Sequence, residues 1–207
     1  MKPDYSIPRR TVGLPPAAAG QRIGLLGGTF DPAHEGHVLI SRIARRRLYL
    51  DQVWWLVTPG NPLKTTPRQV STRERVTGAQ LLASPLGFVV SDFEERLGSH
   101  YTVDTLRYLR NVRPDVQFVW IMGADSLSSF HRWKSWRAIF DLMPIAVVDR
   151  PGYTLKALAS PAARAFGRHR VPDMQLRHLP EMRAPVWAFL RGPLSAQSST
   201  KIRSRTA

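Results

Sequence analysis

The residues with the clearest chemical potential form a loop rich in glycine and histidine near the start of the chain. Its sequence, Gly-Gly-Thr-Phe-Asp-Pro-Ala-His-Glu-Gly-His, covers residues 27–37. Gly27 and Gly28 let the backbone approach a ligand closely, and a helix start at the end of the loop would offer unpaired N–H groups and a positive dipole end. His34 and His37 are three residues apart, so their imidazoles can point the same way near a helix start. The pattern predicts a site that holds one phosphate group from two sides.

Two other interpretations of the histidine pair remain open at this point. The residues could ligate a metal ion, although the zinc pattern His-Glu-x-x-His needs a spacing of four and Gly36 weakens a rigid helical site. They could also be ordinary surface or core histidines. The loop is neither of the common phosphate-binding motifs, because the chain contains no Gly-x-x-x-x-Gly-Lys-Ser/Thr and no Gly-x-Gly-x-x-Gly sequence.

A second expected helix start, near the end of the chain, has the same kind of chemistry. Ser199 and Thr200 precede a short basic segment, so their hydroxyls and the free N–H groups can bind an anion that Arg203 also reaches. Taken alone, Ser or Thr before a short basic helix is typical of a simple cap. The prediction depends on the pairing with the first loop, and it requires the two ends of the chain to meet at one ligand.

Short apolar runs that alternate with helical patterns would position these loops. The pattern predicts strands at residues 23–26, 52–57, 87–90, 116–122 and 145–148, and helices at residues 38–48, 71–83 and 102–109. After Pro151 it weakens, and it indicates a helix near residues 155–166, strands at 175–179 and 186–190, and a short helix from about residue 200. This alternation is typical of an α/β fold with a single doubly wound, Rossmann-like parallel sheet and helices on both faces. Ligands of such sheets bind beyond the carboxyl ends of the strands.

Length and composition are those of one folded domain. The chain has 207 residues, of which 43% are hydrophobic and 22% charged, values near the averages of globular proteins. Residues 1–21, rich in proline, alanine and arginine, are predicted to be a flexible leader, and residues 22–207 the folded domain. The absence of cysteine excludes disulfides and thiolate metal sites and favours the cytoplasm. No apolar run is long enough for a membrane helix or a signal peptide, so no membrane partner is expected.

The net charge of +15 raises the question of a nucleic-acid partner. The charge is +3 over residues 1–22, +3 over residues 23–149 and +9 over residues 150–207. A basic excess spread over the end of the chain suits anionic partners in general, from nucleotides to RNA. Nucleic-acid binding is therefore not expected as the main role.

These motifs resemble the signature of the nucleotidyltransferase superfamily, and specifically of the nicotinate mononucleotide adenylyltransferase family. Besides the glycine and histidine loop, the blocks that carry the resemblance lie at residues 101–106, 123–127, 130–133, 150–153 and 198–203. In that order they read Tyr-Thr-Val-Asp-Thr-Leu, Gly-Ala-Asp-Ser-Leu, Phe-His-Arg-Trp, Arg-Pro-Gly-Tyr and Ser-Ser-Thr-Lys-Ile-Arg. The resemblance covers about residues 22–205, and Gly-Ala-Asp-Ser-Leu with the following tryptophan is its more specific part.

The resemblance implies transfer of AMP from ATP to nicotinate mononucleotide, which gives nicotinate adenine dinucleotide and pyrophosphate in NAD biosynthesis. The phosphate of the mononucleotide would attack the α-phosphorus of ATP in line, and pyrophosphate would leave with the Mg²⁺ that ATP carries. No protein nucleophile is required, in agreement with a sequence that has no cysteine and no Gly-x-Ser-x-Gly motif. The first alternative is another acceptor, namely nicotinamide mononucleotide, phosphopantetheine or glycerol phosphate, and the second, less favoured one is a basic RNA-binding protein. A homo-oligomer is left open.

The resemblance also implies roles for individual residues. It assigns phosphate contacts and catalysis to His34, His37 and Arg203. The other ATP-binding residues that it implies are Gly27, Gly28, Thr29, Phe30, Lys64, Gly123, Asp125, Ser199 and Thr200. On the acceptor side it implies Thr102 near the carboxylate of the pyridine ring, Trp133 stacked on that ring, and Arg150 at the phosphate. It assigns no residue of the chain to a bound metal ion.

Simpler interpretations stay open for several of these residues. Asp125 follows a strand, so it could be a helix cap and not a ligand of a ribose hydroxyl. Lys64 and Arg150 could be ordinary solvated side chains. Trp133 and Trp136 are three residues apart, which predicts a shared helix face and core packing.

Overall fold

The chain folds around one parallel sheet with helices on both faces, in a computed structural model that describes residues 13–59, 70–98 and 100–192. The strands of the described part are β1 (Arg22–Gly28), β2 (Gln52–Val57), β3 (Val89–Ser91), β4 (Gln117–Gly123), β5 (Ile145–Val148) and β6 (Trp187–Leu190). They lie in the order β3-β2-β1-β4-β5-β6, and each neighbouring pair is parallel. The predicted doubly wound α/β fold is confirmed.

Eight α-helices are seen in the described residues. They are α1 (Glu35–Leu48), α2 (Thr72–Ala83), α3 (Phe93–Leu97), α4 (Thr102–Val112), α5 (Ala124–Ser129), α6 (Trp136–Leu142), α7 (Thr154–Leu158) and α8 (Pro161–Ala165). Four 3₁₀ helices accompany them, at Ser84–Leu86, Phe130–Arg132, Gly167–His169 and Asp173–Glu181. The residue that caps α2 is Ser71, whose hydroxyl accepts from the backbone N–H of Glu74 while the Glu74 carboxylate accepts from that of Ser71.

The two faces of the sheet bury separate hydrophobic clusters. Along β2 the side chains alternate, so that Trp54 packs into one cluster while Trp55 packs into the other. The first cluster includes residues of α4 to α8, and the second includes residues of α1, α2 and the 3₁₀ helix Asp173–Glu181. Because both faces are covered, the central strands read as continuous apolar runs and not as alternating ones.

The strand order places a crevice at the centre of the sheet. β1 pairs with β2 on one side and with β4 on the other, so the winding direction reverses between β1 and β4. In open parallel sheets, ligands bind at such a switch point, beyond the carboxyl ends of the strands. The glycine and histidine loop follows β1, and Asp125 follows β4, so the topology brings both to this crevice.

After β5 the structure differs from the sequence-based expectation in two places. The strand predicted at residues 175–179 is wrong, because this segment is part of the 3₁₀ helix Asp173–Glu181. Leu176 and Leu179 are both buried, and a repeat of three residues per turn puts them on the same side of a 3₁₀ helix. The single helix predicted near residues 155–166 is two short helices, α7 and α8, because Ser160 caps a new helix that starts at Pro161. The strand predicted at 186–190 is confirmed as β6.

Part of the segment predicted to be a leader packs on the domain. Leu14 and Ala17 lie against the first hydrophobic cluster, and the guanidinium of Arg113 donates to the carbonyl of Ala17 at 2.8 Å. Residues 1–12 lie outside the described residues, and the boundary at residue 22 stays a prediction. Within the part of the chain that the structure describes, no helix has the length and apolar character needed to cross a membrane.

Candidate active site

The histidine pair caps the start of α1. His34 precedes the helix with extended backbone angles, φ −153° and ψ 168°. Its Nδ1 accepts from the backbone N–H of Gly36 at 3.1 Å, and the Nδ1 of His37 accepts from the backbone N–H of His34 at 3.2 Å. These reciprocal bonds have the form of a capping box. They hold the two rings side by side, with centroids 3.9 Å apart, next to the carboxyl end of β1.

The same hydrogen bonds determine where each imidazole carries its proton. A ring nitrogen that accepts a hydrogen bond has no proton, so the proton of the neutral ring lies on Nε2. Both histidines therefore have an Nε2–H donor, which suits a phosphate oxygen. A metal-ligating histidine usually does the opposite, because it donates from one nitrogen and binds the metal through the other, deprotonated one. In the described ranges, no group of three or more His, Asp or Glu residues could hold a metal ion.

Burial keeps His34 uncharged. The side chain is only 6% exposed, and this desolvation, together with the positive charge of Arg150, lowers the pKa of His34 to about 4. The carboxylate of Asp125 acts in the opposite direction but does not compensate. At neutral pH, His34 is therefore a neutral hydrogen-bond donor and not a cation.

A stack of aromatic rings supports the histidine loop from the core side. Phe30 has a left-handed backbone, φ 48°, and its ring stacks on Trp55 with centroids 5.0 Å apart and an interplanar angle of 10°. The ring of His37 lies 4.7 Å from that of Phe30. The indole N–H of Trp55 donates to the hydroxyl of Ser41 in α1 at 2.7 Å, which fixes the stack against the helix. Sequence reasoning found Phe30 but missed the support that Trp55 and Ser41 provide.

Two glycines of the site are required by close packing. A Cβ at Gly27 would collide with the ring of Trp120. One at Gly123 would collide with the carboxylate of Asp125 and the side chain of Arg150. At the ends of β1 and β4 the backbone therefore lies so close to neighbouring side chains that these two positions leave no room for a Cβ.

Asp125 and Arg150 form an ion pair on the other side of the crevice. The Arg150 guanidinium donates to Asp125 Oδ2 at 2.8 Å, with both side chains partly buried. Asp125 Oδ1 is buried and has no hydrogen-bond partner among the described residues. The helix-cap interpretation is wrong, because the residue that caps α5 is Gly123 and the helix start has no side-chain capping hydrogen bond. The solvated-arginine interpretation is also wrong, since Arg150 holds this carboxylate and lowers the pKa of His34.

Thr102 and Trp133 lie at neighbouring segments. Thr102 is the first residue of α4, and Trp133 is half-buried against Phe130, with ring centroids 5.0 Å apart. Lys134 connects the two segments, because its ammonium lies 3.9 Å from the ring centroid of Tyr101 and 4.0 Å from Asp104 Oδ2.

The shared helix face predicted for Trp133 and Trp136 is wrong. Trp133 has an extended backbone, and Ser135 has a left-handed one, φ 50°, so that α6 starts only at Trp136. Trp136 packs in the core against Phe140 and Phe166, whereas Trp133 lies outside the helix. The two tryptophans therefore have different surroundings.

A second buried titratable residue was not found from the sequence. The carboxyl of Glu94, in α3, accepts from the hydroxyl of Thr105 in α4 at 2.8 Å. Burial raises its pKa to about 7, and the hydrogen bond from Thr105 only partly opposes the shift. Glu94 lies in the run Phe-Glu-Glu-Arg, which has no feature that distinguishes a buried carboxyl from a solvated one.

Four residues of the predicted site lie outside the described residues. They are Lys64, Ser199, Thr200 and Arg203. The prediction that the two ends of the chain meet at one triphosphate therefore stays a prediction. The described residues bring His34 close to Asp125 and Arg150, and they place Gly27, Gly28, Thr29 and Phe30 in the segment that leads to His34.

Comparisons with known proteins agree with one another. The family model described as cytidylyltransferase-like matches residues 25–205. A protein of Methylorubrum extorquens is 54% identical over 184 residues, which are 89% of this chain and 100% of the relative. One of a Ruegeria species is 51% identical over 185 residues, 89% of this chain and 97% of the relative. Both are named "Probable nicotinate-nucleotide adenylyltransferase".

A solved structure has the same fold. It is the Plasmodium falciparum nicotinic acid mononucleotide adenylyltransferase complexed with NaAD. The TM-score is 0.63 at 15% sequence identity, and the match covers 89% of this chain and 83% of that chain. At this identity the likeness concerns the fold alone.

Proposed function

We propose that this chain, which belongs to the cytidylyltransferase-like family and within it to the nicotinate-nucleotide adenylyltransferases, transfers AMP from ATP to nicotinate mononucleotide. The products are nicotinate adenine dinucleotide and pyrophosphate, a step of NAD biosynthesis. The observation that carries the proposal is the extent of the similarity. Relatives that share about half of their residues with this chain match it over nearly their whole length. The crevice supports the proposal, because it offers hydrogen-bond donors to phosphate groups and the reaction needs no protein nucleophile.

The reaction is a displacement at phosphorus. An oxygen of the mononucleotide phosphate forms a bond to the α-phosphorus of ATP, and the bond from that phosphorus to the β-phosphate oxygen breaks. The electron pair leaves with pyrophosphate, whose charge is partly balanced by the Mg²⁺ that ATP brings. The chain contributes by positioning the two substrates and by stabilising charge around the phosphates.

We assign the phosphates of ATP to the histidine side of the crevice. The Nε2–H groups of His34 and His37 can donate to phosphate oxygens, and a neutral His34 does so without the desolvation cost of a buried cation. Gly27, Gly28, Thr29 and Phe30 supply backbone and shape around the nucleotide. By the family pattern, Lys64, Ser199, Thr200 and Arg203 add donors on the same side.

We assign the sugar of ATP and the acceptor to the other side. We infer that Asp125 serves both substrates, because Oδ2 holds Arg150 while Oδ1, beside Gly123, has no hydrogen-bond partner among the described residues and can accept from a ribose hydroxyl once ATP is bound. Arg150 is then oriented to bind the phosphate of the mononucleotide. Thr102 and Trp133 bind the carboxylate side and the face of the pyridine ring.

Three further expectations are part of the proposal. We expect the enzyme to work in the cytoplasm, because a chain without cysteine needs no oxidising compartment. Mg²⁺ enters with ATP and is not held by a dedicated protein site. RNA affinity, if any, is weak and falls steeply with salt, because it rests on dispersed basic charge.

A pyrophosphate-release assay tests the proposed function. Purified chain is given ATP or CTP with one acceptor at a time, namely nicotinate mononucleotide, nicotinamide mononucleotide, phosphopantetheine or glycerol phosphate. We expect the highest kcat/KM with ATP and nicotinate mononucleotide, and nicotinate adenine dinucleotide as the product. A higher value with CTP or with another acceptor would contradict the assignment.

A further inference from the structure

Arg75 is buried behind the nucleotide crevice. It lies in α2 and is only 2% exposed. Its Nη1 donates to two backbone carbonyls, those of Thr29 and Thr58, the second at 2.9 Å. Its Nη2 donates to the hydroxyl of Thr72, at the start of the same helix, at 3.0 Å. One guanidinium therefore connects α2 to the loops that follow β1 and β2.

These two carbonyls lie where the sheet ends. The backbone N–H of Thr58 still donates to the carbonyl of Gly28 at 2.9 Å, as a last bond of the parallel ladder. One residue further on, the chain turns away into the loop that leads to His34, and the ladder cannot continue. These carbonyls are partly buried and have lost their partner strand, and Arg75 supplies the hydrogen-bond donor in its place. The forked guanidinium of Arg75 thus continues the connection between β1 and β2 beyond the last strand residues.

The segment that Arg75 holds is also a strained one. Phe30, directly after Thr29, has φ 48°, a left-handed conformation that a phenylalanine rarely adopts. Such a conformation persists only when the surroundings fix it on several sides. The Phe30 ring is held by Trp55, and the carbonyl before it is held by Arg75.

We infer that Arg75 is a positioning residue for the nucleotide, which sets the backbone of Thr29 and Phe30 from behind. This inference rests on the proposed function in so far as that segment binds ATP. Arg75 itself contacts no reacting atom. A lysine cannot replace it fully, because a single ammonium lacks the planar fork that reaches two carbonyls and a hydroxyl at fixed angles.

The test compares Arg75→Lys and Arg75→Gln with a matched control, Arg73→Gln. Arg73 lies two residues earlier on the exposed side of α2, so its replacement removes the same charge without touching the fork. The equilibrium Kd for ATP is measured by calorimetry, the KM for each substrate by pyrophosphate release, and the folded fraction by thermal unfolding.

We expect the Kd and KM for ATP to rise about tenfold or more in both Arg75 variants, because small displacements of a positioning segment have effects of this order or larger. The KM for the mononucleotide should change less than about threefold, and Arg73→Gln should match the wild type. A purely structural role would lower the amount of active enzyme and leave the Kd for ATP unchanged. That result, or an equal rise in the KM of both substrates, would overturn the inference.

A further variant covers the case in which both Arg75 variants fail to fold. Thr72→Val removes the hydroxyl that orients the guanidinium and keeps the side-chain volume. A rise of about threefold or more in the Kd for ATP, the scale of one lost hydrogen bond, supports the inference, and an unchanged Kd overturns it.

The binding measurement separates this inference from the proposed function. If the wild type binds ATP but forms no dinucleotide, the proposed function fails while the Kd values still decide the role of Arg75. If the wild type does not bind ATP, both fail.

Discussion

The two sides of the proposed phosphate-binding crevice differ in how their polar side chains are held. On the β1 side, His34 and His37 are held by backbone N–H groups, and His34 is neutral because burial lowers its pKa to about 4. On the side of β4 and β5, Asp125 and Arg150 are held by each other as an ion pair at 2.8 Å. One side offers donors that backbone hydrogen bonds direct, and the other offers paired charges.

This difference indicates which contribution each side makes. A donor fixed by backbone bonds needs no reorganisation when charge develops, which is what stabilises a transition state. In an ion pair the two side chains hold each other firmly, but they must share their hydrogen bonds with a substrate when it binds. We therefore expect replacements on the histidine side to lower kcat, and replacements on the ion-pair side to raise KM.

The largest effect is expected on the histidine side. His34→Ala or His37→Ala should lower kcat about a hundredfold or more, the scale seen when a preorganised donor to a developing charge is removed. The measurement is steady-state pyrophosphate release, with the exposed His169→Ala as the control. Near-normal turnover in both variants would show that neither histidine contributes to the reaction.

On the ion-pair side, Arg150→Gln should raise the KM for the mononucleotide about tenfold, the scale of a lost hydrogen bond to a charged group. The KM for ATP should change less. The same variant removes the positive neighbour of His34, so the pKa of His34 should rise, as NMR titration of its ring protons would show. A lower pKa of His34, or an equal change in the KM values for the mononucleotide and ATP, would contradict the different roles expected of the two sides.

Trp133 sharpens the comparison, because the proposal places it on the acceptor side and it carries no charge. Trp133→Ala should raise the KM for the mononucleotide more than that for ATP, by about fivefold, since stacking on an aromatic ring contributes on the order of 1 kcal/mol. Trp133→Phe retains a ring and should recover most of the loss. An equal rise for both substrates would exclude Trp133 from the acceptor pocket.

The smallest effect is expected from pH. His34 has a folded-state pKa of about 4 against an ordinary 6.5, so its contribution to stability is full above pH 6.5 and is lost as the pH falls toward 4. For the same reason kcat should show no transition from His34 between pH 8 and about 5. A transition near pH 6.5 that His34→Ala abolishes would contradict a neutral, buried donor.

The sequence predicted the histidine side better than the rest because its structure is local. Glycines, a cap and a helix start within one short loop are sufficient to define that side. The sequence does not indicate that Trp133 lies outside the helix that starts at Trp136. The left-handed residue between them is Ser135, whereas a glycine there would have predicted such a conformation. The segment at 175–179 was mistaken for a strand because a short run with buried leucines fits either period.

The supporting residues could not be found from the sequence because their partners are distant in the chain. Arg75 binds the carbonyl of Thr29, which is 46 residues away, and Glu94 is buried against Thr105 in the next helix. Charged residues are normally exposed, so neither would be assigned to the interior without the fold. Trp55 and Ser41 were missed for the same reason, since their hydrogen bond joins β2 to α1.

The most direct test of the account is nitrogen NMR of the two histidine rings in isotope-labelled protein at neutral pH, with and without ATP and Mg²⁺. We predict that His34 is neutral, that both rings carry a proton on Nε2, and that these N–H signals shift when ATP is added. Rings protonated on Nδ1, or Nε2–H signals that ATP leaves unchanged, would contradict the claim that the histidine pair donates to the phosphates of the nucleotide.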